Sequence, residues 1–125
     1  MGLDNYARFA NLRFDDFRKM ARDKSLSVYE KIGFPDSYRK GKEEAIFADI
    51  VAKLPALSAS RRVVVDIGPG CSDLPRMLID SCAQQGHNLI LVDSEEMLSQ
   101  LPDAPHIDKI AARYPECPSL FDRYT

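Results

Sequence analysis

Two apolar runs mark the second half of the chain, the near-continuous Val63-Val64-Val65-Asp66-Ile67 and the continuous Leu89-Ile90-Leu91-Val92, closed by Asp93. Branched aliphatic side chains in runs of this length predict strands of a parallel sheet covered on both faces. Between them Leu74, Met77, Leu78, Ile79 and Cys82 recur at helical spacing up to Gly86, which predicts a helix closed by a glycine. Strand, helix and strand in this order make a βαβ unit. Beyond it, Glu95 to Leu101 reads as a short helix with Ser94 as N-cap and Pro102 past its end, and His106 to Ile110 as a third, weaker strand. The tail, Ala111 to Thr125, holds Pro115 and Pro118 and reads as a loop.

The first half is helical in pattern. Asp4 to Arg22 carries Tyr6, Phe9, Leu12, Phe14, Phe17 and Met20 in an imperfect helical stripe, read as one helix or two with a break near Asp15. Ser27 and Glu30 have capping-box spacing, so a short helix is expected up to Gly33, and Phe34-Pro35-Asp36-Ser37 reads as a turn. From Lys42 to Leu54 the apolar residues Ala45, Ile46, Phe47, Ile50, Val51 and Leu54 fall on one helical stripe, ended by Pro55. The fold class is therefore α/β: a small parallel sheet of about three strands preceded by N-terminal helices. Residues 1–55 read as a helical lid or cap region and residues 56–125 as the sheet-bearing region.

Charge and composition remove several function classes. Lys+Arg 17 against Asp+Glu 19 gives a net charge of -2, with no basic patch that would hold nucleic acid. No apolar run approaches the ~20 residues of a membrane helix, and the N-terminus lacks the apolar core of a signal peptide. A cytoplasmic protein is expected. Met1-Gly2 begins like a myristoylation signal, but Tyr6 stands where Ser or Thr is needed. Cys71, Cys82 and Cys117 lack metal-ligand spacing, so free thiols and no metal site are expected. Cys71, beside a helix start, has a reactive-thiol reading, and a small residue tolerated in a tight turn is the better one. His87 and His106 have no partner for acid-base or metal chemistry and read as surface or loop residues.

The chemistry lies where the first strand ends, at Asp66-Ile67-Gly68-Pro69-Gly70-Cys71-Ser72-Asp73. Gly68 and Gly70 let the chain turn sharply and leave room for a ligand against the backbone, with Ser72 or Asp73 capping a helix whose free N–H groups would face that ligand. Asp93, closing the second strand, falls near the glycines and has the chemistry to accept hydrogen bonds from ribose hydroxyls. A dinucleotide site needs a third glycine where this chain has Asp73, and the acids Asp66 and Asp73 oppose a pyrophosphate. No Gly-Lys-Ser/Thr follows, so a P-loop is excluded. The ligand should be positively charged and carry no phosphate.

At these residues the chain resembles the class I, Rossmann-like S-adenosylmethionine-dependent methyltransferases. Their first motif, an acid-ended strand followed by Gly-x-Gly-x-Gly, is similar to Asp66-Ile67-Gly68-Pro69-Gly70-Cys71-Ser72, with Ser72 in place of the last glycine. Val92-Asp93-Ser94-Glu95-Glu96-Met97-Leu98 resembles their second. The resemblance implies S-adenosylmethionine as cofactor. Gly68, Pro69 and Gly70 would lie along the methionine part, Asp66 would hold its amino group, Asp93 the ribose, and Ser94 and Met97 would lie by the adenine. By position Tyr29, Tyr38 and Arg39 could close over the cofactor from the N-terminal half, and surface and packing roles are the better reading for each. The implied activity is methyl transfer to an unidentified, small-molecule acceptor; no residue stands out as a catalytic base.

The family's sheet has seven strands, on the order of 200 residues at ~30 per βαβ unit, so this chain is expected to be a fragment carrying the cofactor-binding half. The first strand would then expose an apolar edge. The alternative function is a non-catalytic module that pairs this open edge with another chain, including self-association.

Overall fold

Parallel pairing of the apolar runs is the framework on which the other elements rest. The computed structural model describes residues 9–113. Strands β1 (Val63–Ile67), β2 (Asn88–Asp93) and β3 (Ile107–Ala111) form a three-stranded sheet in the order β1-β2-β3. Both pairings are parallel, with Val65 opposite Ile90 and Leu91 opposite Lys109. Six helices complete the described elements: α1 (Phe14–Arg22), α2 (Val28–Lys31), α3 (Asp36–Arg39), α4 (Glu43–Lys53), α5 (Asp73–Gln85) and α6 (Glu95–Leu98), with a 3₁₀ turn at Pro55–Ser58. The chain is thus α/β. Among the described residues no helix is long and apolar enough to cross a membrane.

One face of the sheet packs on α5. Leu89 and Leu91 are buried there with Ile79, Cys82, Leu98 and Leu101, and Val64 and Ile107 extend the cluster. On the other face Ile90 and Val92 are buried, with Ile110 and Ala112 against them. Covering both faces of β2 is what its continuous apolar run demands. The same expectation fails for β1. It is the edge strand, and Val63, Val65 and Ile67, on the face away from α5, remain 48%, 42% and 47% exposed. An apolar run does not say whether a packing element covers each face of its strand.

Other elements depart from expectation by small amounts. The break in the first helical stretch falls before Phe14: Asn11 has φ 57 and the Arg13 N–H donates to Asp16 Oδ2 at 2.9 Å, starting α1 there. The Ser27–Glu30 capping box forms, and Gly33 follows with φ 92. Asp36–Arg39, read partly as a turn, closes one helical turn. α6 is shorter than expected, ending at Leu98. Residues 1–8 and 114–125, including most of the predicted tail loop and Cys117, lie outside the described residues.

His87 is not a surface residue. It is buried just after the left-handed Gly86, where its Nδ1 accepts from the Arg62 N–H at 2.9 Å and Nε2–H donates to Leu57 O at 3.0 Å. That tautomer ties the 3₁₀ turn to the start of β1. His106 Nε2 is 3.0 Å from Ile79 O and fastens β3 to α5 in the same manner. A lone histidine carries no sequence period, so neither role was visible from spacing.

The N-terminal helices are held to α6 by charge and by an apolar cluster in which Ala21, Phe17, Val28 and Ile32 pack around Met97 and Cys71. Glu96 receives Arg18 Nε and Nη2 at 3.0 and 2.9 Å and Arg22 Nη2 at 2.7 Å. Gln100 adds Nε2 bonds to Ala21 O and Glu96 O and accepts from Lys31 Nζ at 3.1 Å. The Arg18 guanidinium holds the Glu96 carboxyl down, from 4.5 to about 2. Both arginines are substantially exposed, so solvent screens part of this attraction. A depressed carboxyl stabilises the fold above its unfolded value and loses that contribution as pH falls through the folded one. Glu96→Gln should lower unfolding free energy by ~1 kcal/mol at pH 7, and the difference from wild type should shrink steadily from pH 4.5 towards 2. Urea melts at pH 7 and pH 3 measure it.

Candidate functional site

The turn after β1 is built by left-handed glycines, φ 71 at Gly68 and φ 73 at Gly70, and held by acids from two elements, Asp93 of β2 and Glu43 of α4. Gly68 N–H donates to Val92 O at 2.7 Å, continuing the strand ladder. Asp93, at the end of β2, accepts from Gly70 N–H through Oδ2 at 3.0 Å and from Ser94 N–H through Oδ1 at 2.7 Å. A carboxylate has about four acceptor positions, so both oxygens keep capacity for further donors. Burial pushes the Asp93 carboxyl up, and these two N–H groups pull it down.

The helix start beyond the turn is not free. Ser72 occupies the N-cap position without a cap bond of its own. Glu43, from the first turn of α4 and 2% exposed, does the capping: it accepts from Ser72 Oγ at 3.0 Å and Leu74 N–H at 2.7 Å. Arg39 Nη2 pairs with Glu43 Oε2 at 2.6 Å, and its guanidinium lies 4.8 Å from the Phe34 ring centroid. The expected ring of open N–H donors is therefore filled by protein carboxylates, which is why a phosphate has no seat here. Tyr29 closes the same corner, its hydroxyl donating to Asp73 Oδ2 at 2.8 Å.

Two cavities meet at the turn. The first, of about 280 Å³, lies past the C-terminal ends of the strands and is bounded by Gly68, Gly70, Asp93, Met97, Phe17 and Arg113. The second, of about 320 Å³, lies on the side of α4 and α5 and is bounded by Asp66, Pro69, Phe34, Phe47, Ile50 and Leu78. Both share Ile32, Gly68 and Gly70. Each is near the lower end of the ~300–1,000 Å³ typical of small-molecule sites.

The residues singled out from sequence divide between these spaces. Gly68, Gly70, Asp93 and Met97 come together around the first, and Asp66 and Pro69 line the second. Met97 is also core, buried with Ala21 and Cys71. Ser94 is buried and accepts from Met97 N–H at 3.2 Å as the N-cap of α6; it lines neither cavity. Tyr38 is 40% exposed and lines neither. Asp66 has no hydrogen bond or ion pair among the described residues; burial first, then the Asp93 charge, raises it from 3.8 to about 6. Cys71 is fully buried and burial pushes its thiol up, so the reactive reading fails, and Cys82, also buried, rises to about 11. Among the described residues no cluster could hold a metal ion. Glu43 and Ile32 went unnoticed in the sequence: the first has the form of an ordinary first-turn acid, the second of a helix-end aliphatic.

Comparison with known proteins returned no matching family, no matching curated protein and no matching solved structure.

The two glycines differ in what constrains them. A Cβ on Gly70 would stand 2.5 Å from Ile32 Cγ2, whereas one on Gly68 meets nothing within 4 Å. Gly68→Ala should cost only its left-handed conformation, ~1 kcal/mol, and Gly70→Ala ~1–3 kcal/mol more. In thermal melts Ile32→Ala should recover part of the Gly70→Ala loss and none of the Gly68→Ala loss.

Asp66 burdens the fold. Its folded value, about 6, lies above the ordinary 3.8. The folded state therefore binds more protons between these values, and stability falls as pH rises across that interval, with the full burden present above it. Asp66→Asn should be more stable than wild type by ~2 kcal/mol at pH 7, with the advantage vanishing by pH 4 in urea melts.

Proposed function

We propose that the chain carries the cofactor-binding part of a class I, Rossmann-like methyltransferase and binds S-adenosylmethionine. The observation that carries the reading is the first cavity, with Gly68, Gly70, Asp93 and Met97 around one space at the C-terminal ends of parallel strands. In open parallel sheets that is where ligands bind. Asp93, with acceptor capacity left on both oxygens, suits a ribose diol. Asp66, Asp93 and Glu43 put negative charge around the turn, with Glu43 paired to Arg39, Arg76 bonded to Cys71 O and Ser72 O, and Arg113 on the wall of the first cavity. These carboxylates and the filled start of α5 disfavour a nucleotide phosphate at the turn.

The chemistry would be a direct displacement. A lone pair on the acceptor bonds to the methyl carbon as the carbon–sulfur bond breaks, and that bonding pair stays on sulfur to give S-adenosylhomocysteine. The protein's contribution is alignment and exclusion of water. Phe14, Phe17 and Ile32, delivered by the N-terminal helices to the first cavity, supply apolar cover for that purpose.

A second reading rests on β1: a non-catalytic module whose outer strand edge, unpaired among the described residues, pairs with a second copy. Size-exclusion chromatography separates the two readings, since edge pairing requires a dimer and a clean monomer removes it.

Calorimetric titration with S-adenosylhomocysteine should show micromolar binding. Asp93→Ala should weaken it about tenfold to a hundredfold, the worth of hydrogen bonds to a charged group. Absence of binding to folded wild-type protein would sink the cofactor assignment.

A further inference from the structure

The second cavity is lined by two groups that the fold leaves unanswered, and they are opposite in kind. Asp66 has no hydrogen bond or ion pair among the described residues, and the nearby charge of Asp93 repels it. Arg39 is answered only in part. Glu43 Oε2 takes its Nη2 at 2.6 Å and Phe34 lies against the guanidinium, yet the buried Nε has no acceptor. A guanidinium carries five N–H donors, so the pair with Glu43 cancels its charge without using up its hydrogen bonds. The remaining walls are apolar, with Phe47, Ile50 and Leu78 among them. A carboxylate without a donor and a donor without an acceptor have both lost hydration and gained no bond.

The two groups together specify a ligand. An amine alone would leave Arg39 as it is, and a carboxylate alone would leave Asp66. An ammonium and a carboxylate on one carbon satisfy both. We propose that the second cavity seats the free α-amino acid end of a ligand, with its ammonium on Asp66 and its carboxylate on the Arg39 guanidinium, so that Arg39 selects ligands that keep the carboxylate. The proposal rests on the methyltransferase reading, in which Asp66 holds the cofactor's amino group, and gives Arg39 a part in choosing that cofactor. The two cavities share Gly68, Gly70 and Ile32. One extended molecule thus lies over the glycines, its nucleoside beside Asp93 in the first cavity and its amino acid end in the second. Arg39 is suited to this task because Glu43 and Phe34 hold its planar fork in place before any ligand arrives.

The test titrates S-adenosylhomocysteine, its decarboxylated analogue and methylthioadenosine, which lacks the amino acid end, by calorimetry into wild type, Arg39→Lys and Asp66→Asn, each checked for folding by circular dichroism. Lysine keeps a charge for Glu43 and lacks the fork. Wild type should bind S-adenosylhomocysteine at least tenfold more tightly than the decarboxylated analogue. Arg39→Lys should abolish that preference and leave methylthioadenosine binding unchanged, whereas Asp66→Asn should weaken both amine-bearing ligands about tenfold. Equal binding of the two amine-bearing ligands to wild type, a preference that survives in folded Arg39→Lys, or an equal loss for all three ligands overturns the proposal and leaves the cofactor reading standing. Should Arg39→Lys fail to fold, the wild-type preference and the Asp66→Asn loss decide. If no nucleoside binds, methionine is titrated against methylthiopropylamine: a tenfold preference for methionine keeps the amino acid seat while the methyltransferase reading falls, and no preference removes both.

Discussion

The Glu43 carboxylate is the contact on which the site depends. It is buried, it neutralises Arg39, and it caps α5 through Leu74 N–H and Ser72 Oγ. One side chain thus fixes α4 against α5, sets the guanidinium that lies over Phe34, and fills the positive end of the helix that follows the glycine turn. Removing one member of such a buried pair leaves the other uncompensated, which costs ~3–5 kcal/mol. The electrostatic character of the turn also follows from it. Glycine turns leading into helices are usually attractive to anions; here an internal anion already occupies the place.

The sheet was legible because its chemistry is local. Val63–Ile67 and Asn88–Asp93 announce themselves by apolar runs, Gly86 by the end of a helical stripe, and Ser27 and Ser94 by capping spacing. The three residues that join Asp93 around the first cavity, Gly68, Gly70 and Met97, were legible for the same reason: two fall within one turn, and the third lies four positions after the acid. What stayed hidden is what depends on partners distant in sequence. Burial of β1 on both faces was the wrong inference because cover on a face is decided by which elements pack there, not by composition. His87 looked like a loop residue because its two backbone partners, Arg62 and Leu57, are remote. Glu43 reads locally as a first-turn acid favoured by the α4 dipole, and nothing in its neighbourhood announces that α5 needs it more.

Strand alternation alone does not divide Asp66 and Asp93 between two spaces. Asp66 pairs with Leu91, which packs on the α5 side, and Asp93, two positions after Leu91, starts on that same side. Asp66 stands one register step before the end of β1 on the α5 side, whereas Asp93 ends β2 and bends towards the Gly70 amide. Two acids similar in sequence setting thereby have opposite situations: one with an N–H donor on each oxygen, the other left without any. The second is the group whose solvation is incomplete, and so the one whose energy changes most when a donor arrives.

The strand order β1-β2-β3 has a bearing on how the molecule assembles. Spatial neighbours in the sheet are neighbours along the chain, so each pairing closes over one short crossover. The Arg18 to Glu96 contact instead spans 78 residues. Closing a loop of that length costs ~1 kcal/mol more entropy than closing one crossover, and it brings little backbone pairing with it. What holds α1 in place is side-chain contact, the arginines on Glu96 and Ala21 and Phe17 against Met97 and Cys71, and α1 delivers Phe14 and Phe17 to the first cavity. The roof of that cavity is thus hung on side chains, while its floor is part of the hydrogen-bonded sheet.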